Sequence, residues 1–480
     1  MGARLCSVTN THAKHSSTTT TLSNTIARHT VLHDNFAPLL PCLFFIAWII
    51  KLQLEVEVIS TETIKPSSPT PQHLGHYQLS FLDQISPPVY NPLVLFYTAD
   101  DEINNNNNTE TLGNFIKQSL SEVFTCFYPL AGRIHKDNNF IECNDEGIPF
   151  KKARVKCQLL HLLQNPNPNE LNKLLPFDLA EAKELPIGIQ FNIFDCGGIG
   201  LGICISHKVG DAQSFFTFVK SWAATARGEK HTVRVEFVSA TLFPPKNILG
   251  FEPSTGITKE NVVTKRFVFA APKIEEIRSN YTHSESCTPS RVEALSAFIW
   301  SRFVAATKPS HKTSDHRFYT ITHAVNLRTK MEPPLPDYSF GNLYRTAVTI
   351  PCLDNEDEER YNHIIISQMR DSLRKVDKDY VKKLQQGDEH LGFIRDRAEK
   401  FARGEIVSFS FTSLCRFPLY EADFGWGKPV WAASASLSFK NLVTFMDTVS
   451  GDHGVEAWIN LKEEDMAKLE ADEKLLSFAS

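Results

Sequence analysis

The 480 residues are 42% hydrophobic and 22% charged, enough to bury a core of ordinary proportion and more than one domain of usual size takes, so two domains of similar size are expected. Lys and Arg number 50 against 55 Asp and Glu, a formal charge of −5 with no basic stripe to neutralise a phosphate backbone, which sets nucleic acid aside as a partner. Ten cysteines without a Cys-x-x-Cys pair argue against a zinc knuckle or a disulfide framework and point to reduced thiols in the cytoplasm.

Residues 1–54 differ from the rest. A Ser/Thr-rich, weakly basic stretch leads into an apolar run from Phe36 to Ile50, closed by Lys51. That run falls short of the roughly 20 residues a helix needs to cross a bilayer, and Pro38 and Pro41 interrupt it. The segment is therefore expected to be an extension outside the fold, disordered or from a mis-assigned upstream exon, with membrane contact through residues 36–50 the less favoured reading.

From Glu55 the pattern alternates short β-like runs with helical stretches, as in a mixed α/β protein. Val56, Val58 and Ile59 begin a strand. The polar run Asn104 to Asn108 has nothing to bury and reads as a surface loop. Leu112, Phe115, Ile116, Leu120, Val123 and Phe124 recur at three and four, which predicts a helix over 111–126 with Thr109 or Thr111 as cap, stopped by Tyr128 to Arg133. Gln190 to Phe194, the turn Asp195-Cys196-Gly197-Gly198 and Ile199 to Ile205 form a hairpin whose second strand delivers His207. Ala212 to Ala223 repeat with helical spacing until Gly228. The weakly periodic 229–262 reads as a crossover. Beyond it come a strand over 266–269, a helix opening at Ser290 with Glu293 in a capping box, and strands over 318–325, 407–411, 432–439 and 442–446. A polar helix from Glu463 ends the chain.

Two constellations carry chemistry. Ile205-Ser206-His207-Lys208-Val209-Gly210-Asp211 lies where a strand gives way to a helix, a rigid mount for an imidazole that titrates near neutral pH and can take a proton from a hydroxyl. A single histidine there is more readily read as one satisfied by backbone, and Asp211 is better read as the N-cap of the next helix than as a catalytic group. The second, Tyr420 to Pro429, sets two glycines around Trp426 and closes on a proline, which describes a tight loop packed by its own aromatics.

Taken together, His207-x-x-x-Asp211 and Asp423-Phe424-Gly425-Trp426-Gly427 make the chain resemble the plant BAHD acyltransferases, which carry these two marks at this separation. The likeness runs over about 55–480. It includes Ser67 to Pro71, Tyr128 to Arg133, Asn326-Leu327-Arg328, Pro333 to Pro336, Phe340-Gly341-Asn342 and Asp447 to Asp452, and is most similar to the vinorine synthase type, which acetylates hydroxyls of alkaloids and related metabolites. Residues 1–54 have no counterpart in the family, and His453 looks like an insertion beside Gly454.

The resemblance implies an α/β fold of two similar-sized, chloramphenicol-acetyltransferase-like domains with mixed sheets and a channel between them. Residues 55–235 would carry His207, 236–262 cross over, and 263–480 carry the Asp423–Gly427 loop. It implies acyl-CoA, acetyl-CoA above all, as co-substrate, a small-molecule alcohol as acceptor, no bound cofactor, no metal, and a cytoplasmic monomer. His207 and Asp423 are expected as catalytic residues, Trp426 as oxyanion donor or loop anchor, Asp211 and Arg328 as a structural ion pair, and Ser290 and Arg291 as CoA contacts. No acyl-enzyme is expected, in keeping with the lack of a Gly-x-Ser-x-Gly elbow. The rival readings are a catalytically silent relative that binds a metabolite or partner, and a hydrolase in which His207 activates water. A fluorescent fusion of residues 1–54 is expected in the soluble fraction; its retention in membranes reverses the reading of that segment.

Overall fold

A computed structural model describes residues 53–480 apart from 99–105, 136–138, 180–183, 230–233, 249–256, 258–260, 283–287, 308–317, 352–357, 387–388 and 438. The apolar run 36–50 and the rest of the extension up to residue 52 lie outside these residues. Leu54, counted with the extension above, belongs to the fold: it is buried, its N–H donates to Glu170 Oε2 at 2.6 Å and its carbonyl accepts from Lys173 Nζ at 3.0 Å. No helix among the described residues is long and apolar enough to cross a membrane.

Two six-stranded mixed sheets organise the chain. In the first, the strands run in the order Val56–Ile64, Ile148–Val155, Ile187–Phe194, Ile199–Ser206, Tyr90–Tyr97 and Trp431–Ala433. The second sheet orders Tyr344–Thr349, Phe318–Asn326, Ile406–Ser413, Leu442–Asp447, Val455–Lys462 and Val262–Phe269. Each contains parallel and antiparallel pairs, as an α/β fold with crossover helices requires. The strand Ile199–Ser206 is central and buried along its whole length, which explains its apolar and glycine-only composition apart from Ser206.

Helices bury their apolar stripes on these sheets. Helix Ala212–Ala226 packs beside Asn106–Val123 through Phe218 against Phe124, ring centroids 6.0 Å apart, and Trp222 donates its indole N–H to Ser119 Oγ at 3.0 Å. On the second sheet, Trp300 and Phe303 of helix Arg291–Thr307 lie against Phe409 at 6.1 and 4.5 Å. A further apolar cluster draws Phe81, Leu82, Ile85 and Phe243 together with Leu327, Leu343, Val381 and Leu384, and so docks the short helix Phe81–Gln84 onto the segment that follows the strand Phe318–Asn326.

Several expectations shift. The helix predicted over 111–126 spans Asn106–Val123, so the last three asparagines of the polar run open a helix instead of lying in a loop; a first turn leaves its N–H groups unpaired within the helix and needs no apolar side chains. The strand expected over 432–439 is only Trp431–Ala433, and it pairs antiparallel with Tyr90–Tyr97 in the first sheet. The chain thus returns from the second sheet to the first before re-entering it at Leu442, and the Asp423–Gly427 loop is carried to the first core, where Phe424 is fully buried.

Candidate active site

His207 follows directly on Ser206, the last residue of its strand, and its N–H is held by the Val89 carbonyl at 2.8 Å. The residue is half-buried, and its ring stacks on Tyr344, centroids 5.4 Å apart. Its Nδ1 lies 3.1 Å from Asn342 Oδ1. Asn342 Nδ2 donates to the His207 carbonyl at 2.7 Å, so the amide oxygen is the atom turned to the ring. An acceptor at Nδ1 requires a proton there, which leaves Nε2 with its lone pair free. Burial pushes the imidazole below the ordinary histidine value, with the Asp211 carboxylate pulling the other way.

Asp211 does not touch the ring. Its carboxylate caps helix Ala212–Ala226, accepting from Ser214 N at 2.9 Å, and also takes a two-pronged contact from Arg328, Nη1 to Oδ2 at 2.8 Å and Nη2 to Oδ1 at 3.0 Å. Leu343 N–H adds a third direction at 3.0 Å. Burial alone would raise this carboxyl, but the Arg328 guanidinium beside it outweighs that and holds it below the usual carboxylate range. Arg328 is itself wholly buried; its Nε and Nη2 also donate to the Ser339 carbonyl at 3.1 and 2.8 Å, and its Nη1 to Asn326 Oδ1 at 3.3 Å. The pair therefore fixes the turn below His207 and the loop 339–343 that brings Asn342 to the ring. Gly341 in that loop sits at φ +123°, and a Cβ there would lie 2.6 Å from Ser239 Oγ, so no larger residue fits.

The second constellation is elsewhere. Asp423 Oδ1 accepts from the N–H groups of Gly425 and Gly427 at 2.8 and 3.0 Å, closing the loop on itself, and both glycines adopt positive φ. Arg227 holds the Asp423 carbonyl, not its carboxylate, and pairs its charge with Glu229, so the Asp423 carboxylate is engaged by backbone N–H groups. Trp426 packs edge-on to Tyr97 at 5.9 Å, and Tyr97 Oη donates to the Ala422 carbonyl at 2.7 Å. Tyr97 pairs with Ile199 and Tyr90 with Ser206, so the loop and His207 sit at opposite ends of one strand, roughly 23 Å apart at about 3.3 Å per residue. Helix Ala212–Ala226, with Asp211 at one end and Arg227 at the other, spans a similar ~22 Å. At that separation Asp423 cannot act on reacting atoms at His207, nor Trp426 donate to an oxyanion there; the Trp426 Nε1 has no partner where it lies.

Ser290 and Glu293 form the expected capping box, Ser290 N to Glu293 Oε2 at 2.7 Å and Glu293 N to Ser290 Oγ at 3.2 Å. Arg291 braces the turn after Leu442–Asp447, reaching Asp447 Oδ1 at 3.0 Å and the carbonyl of His453 at 2.7 Å, where His453 adopts φ +69°. A cavity of about 790 Å³ opens between the edge of the first sheet and the start of the strand Val262–Phe269, lined in part by Leu175, Phe177, Gln190, Val262 and Leu437. His207 is not in its wall. Phe177 nevertheless packs on Tyr90, 4.9 Å between centroids, and Tyr90 pairs with the residue before His207.

Asn342 and Tyr344 were not singled out for chemistry from sequence. Asn342 stood in a segment carrying the family likeness, but an uncharged amide 135 residues from the histidine offers no spacing signal.

The family model described as Transferase family matches residues 54–476. The chain belongs to this family, the BAHD acyltransferases. It is 37% identical over 428 residues to stemmadenine O-acetyltransferase of Catharanthus roseus, covering 87% of this chain and 97% of that one. A limonoid 21-O-acetyltransferase of Melia azedarach is 37% identical over 433 residues, covering 89% and 99%. The crystal structure of vinorine synthase superposes with a TM-score of 0.76 at 35% identity, over 89% of this chain and 99% of that one. This BAHD chain is accordingly an acyl-CoA-dependent O-acyltransferase of the vinorine synthase type.

The buried pair predicts strong non-additivity. Asp211→Ala or Arg328→Ala alone is expected to destabilise by about 3–5 kcal/mol because each strands a buried charge, and the double variant by much less than the sum. Chemical denaturation of the three variants checks this; additive losses mean the two groups are not coupled.

Proposed function

We propose that this enzyme transfers an acyl group, acetyl above all, from acyl-CoA directly to a hydroxyl of an alkaloid or terpenoid metabolite, with His207 Nε2 as general base. The observation that carries the reading is the Asn342 Oδ1 contact at Nδ1, which leaves the opposite nitrogen of the neutral ring unprotonated. Nε2 takes the alcohol proton as the oxygen attacks the thioester carbonyl. The tetrahedral intermediate collapses, the carbon–sulfur bond breaks, and the leaving thiolate receives the proton from the imidazolium as free CoA. Among the described residues no serine or cysteine hydrogen-bonds to His207, which supports direct transfer without an acyl-enzyme. Acetyl and the acceptor class are supported by relatives named as acetyltransferases of stemmadenine and limonoids.

In this reading Asp211 and Arg328 are framework, and Asp423 with Trp426 clamps the C-terminal segment onto the first core. The 790 Å³ cavity behind Tyr90 serves as one mouth of the channel. In this reading the enzyme acts as a monomer. Ser290 and Arg291 are kept for the nucleotide end of CoA, supported by their place at the start of helix Arg291–Thr307, where backbone N–H groups suit a phosphate.

His207→Ala should lower CoA thiol release with acetyl-CoA and hydroxylated acceptors by about 10²- to 10⁴-fold, the usual contribution of a general base; full turnover removes the mechanism. The pH profile follows from the downward shift. The neutral ring is the active form and persists on acidification past the ordinary histidine value, so the acid limb of kcat/KM should lie below that value. A limb above it contradicts the assignment. Arg291→Ala should raise KM for acetyl-CoA several-fold while leaving that of the acceptor alone; an unchanged value confines Arg291 to bracing the 447–453 turn.

A further inference from the structure

We infer that Asp83 is a positioning residue that sets the tautomer of His207 through Asn342, a role that rests on the reading of His207 as the base. Asp83 lies in the short helix Phe81–Gln84, 124 residues before the histidine in sequence, and is wholly buried. Its two carboxylate oxygens do different work. Oδ2 accepts from Ser80 N at 2.9 Å and Ser80 Oγ at 2.6 Å, which caps the short helix. Oδ1 faces the other half of the molecule and accepts from both the backbone N–H of Asn342 at 2.8 Å and its side-chain Nδ2 at 2.9 Å.

That second pair of contacts decides how the Asn342 amide is turned. A primary amide is nearly symmetric in shape, and a half-turn would set its NH₂ against His207 Nδ1. That contact favours an accepting Nδ1 with the ring proton on Nε2, which could then no longer take a proton from the acceptor. The half-turn would also bring the amide oxygen to the position now held by Nδ2, 2.9 Å from the Asp83 oxygen and 2.7 Å from the His207 carbonyl. Three oxygens would meet there with no proton among them. The His207 carbonyl opposes the flip as any backbone acceptor would, and Asp83 adds a second acceptor, a wholly buried carboxylate oxygen that cannot donate in return while ionised.

The geometry also explains why a buried carboxylate is kept in this place. Asn342 arrives on the loop that Arg328 holds, and Asp83 arrives on the helix docked by Phe81, Leu82 and Ile85 against Leu327 and Leu343. The chain Asp83–Asn342–His207 is complete only when these elements are seated, so competence of the base is tied to their docking.

The test separates the two oxygens. Asp83→Ala should lower kcat by about 10- to 100-fold, less than the roughly 10²- to 10⁴-fold of losing the base itself, while KM for acetyl-CoA and acceptor stays within about threefold; Asp83→Ala with Asn342→Ala should be no slower than Asn342→Ala alone. Ser80→Ala, which breaks only the cap, should leave kcat within about threefold of the parent. In ¹⁵N-histidine-labelled protein, with the His207 signals identified by their loss in His207→Ala, the parent should show a protonated Nδ1 and an unprotonated Nε2, and Asp83→Ala a mixture of tautomers. Should the alanine variant fail to fold, Asp83→Asn keeps the volume and should give the same mixture. Wild-type kcat and unchanged ring signals in the folded variants overturn the role of Asp83. The ring signals are read without turnover, so an active His207→Ala variant would refute the base and leave the tautomer result standing as its own answer.

Discussion

Arg328 is a guanidinium with no access to water, and a cation in that position is tolerated only because every donor it turns inward finds an acceptor. Its partner Asp211 begins the helix that follows the histidine turn, and its carbonyl partners belong to the loop that ends at Asn342. One ion pair thus determines both the direction in which His207 leaves its strand and the position of the amide that sets its protonation. Replacing either charge with a neutral group would disturb the base without touching it. The aspartate of the His-x-x-x-Asp motif serves the imidazole from below, through the backbone, and makes no hydrogen bond to the ring.

Distance divides the two sequence hallmarks. The Asp423–Gly427 loop lies a full strand length from His207, and its aromatic residues pack on the first core against Tyr97 and Trp222, with the exposed Phe115 beside Trp426. Its neighbour Trp431–Ala433 adds an edge strand to the first sheet although its sequence lies between strands of the second. The clamp so formed stitches the two sheets together by chain connectivity, while the Arg328 pair and the cluster around Phe81 and Leu327 join them by packing.

Much of this was legible in the sequence because it rests on local periodicity. The hairpin around Asp195 to Gly198, the helix after Asp211 and the capping box at Ser290 are each encoded by residues a few positions apart. So is His207 as a functional candidate, through its place at the junction of strand and helix. The strand assigned over 432–439 failed because Ala432 to Phe439 carries strand-like composition, yet pairing at an edge depends on what lies alongside, and only Trp431–Ala433 meets Tyr90–Tyr97. Asp423 was placed among the catalytic residues through a motif that marks the family; a motif reports that residues recur together, not that they share a cavity. Asn342 and Asp83 were invisible for a complementary reason, since each is common as a residue type and significant only for the atom it faces across the fold.

A crystal structure of the enzyme with CoA and an unreactive analogue of its alcohol acceptor tests the account most directly. The acceptor oxygen is predicted within hydrogen-bond reach of His207 Nε2, about 2.6–3.2 Å, with the CoA sulfur approaching the same point and Asn342 still at Nδ1. An acceptor oxygen seated at the Asp423–Gly427 loop, or a His207 ring turned so that Nε2 faces Asn342, would contradict it.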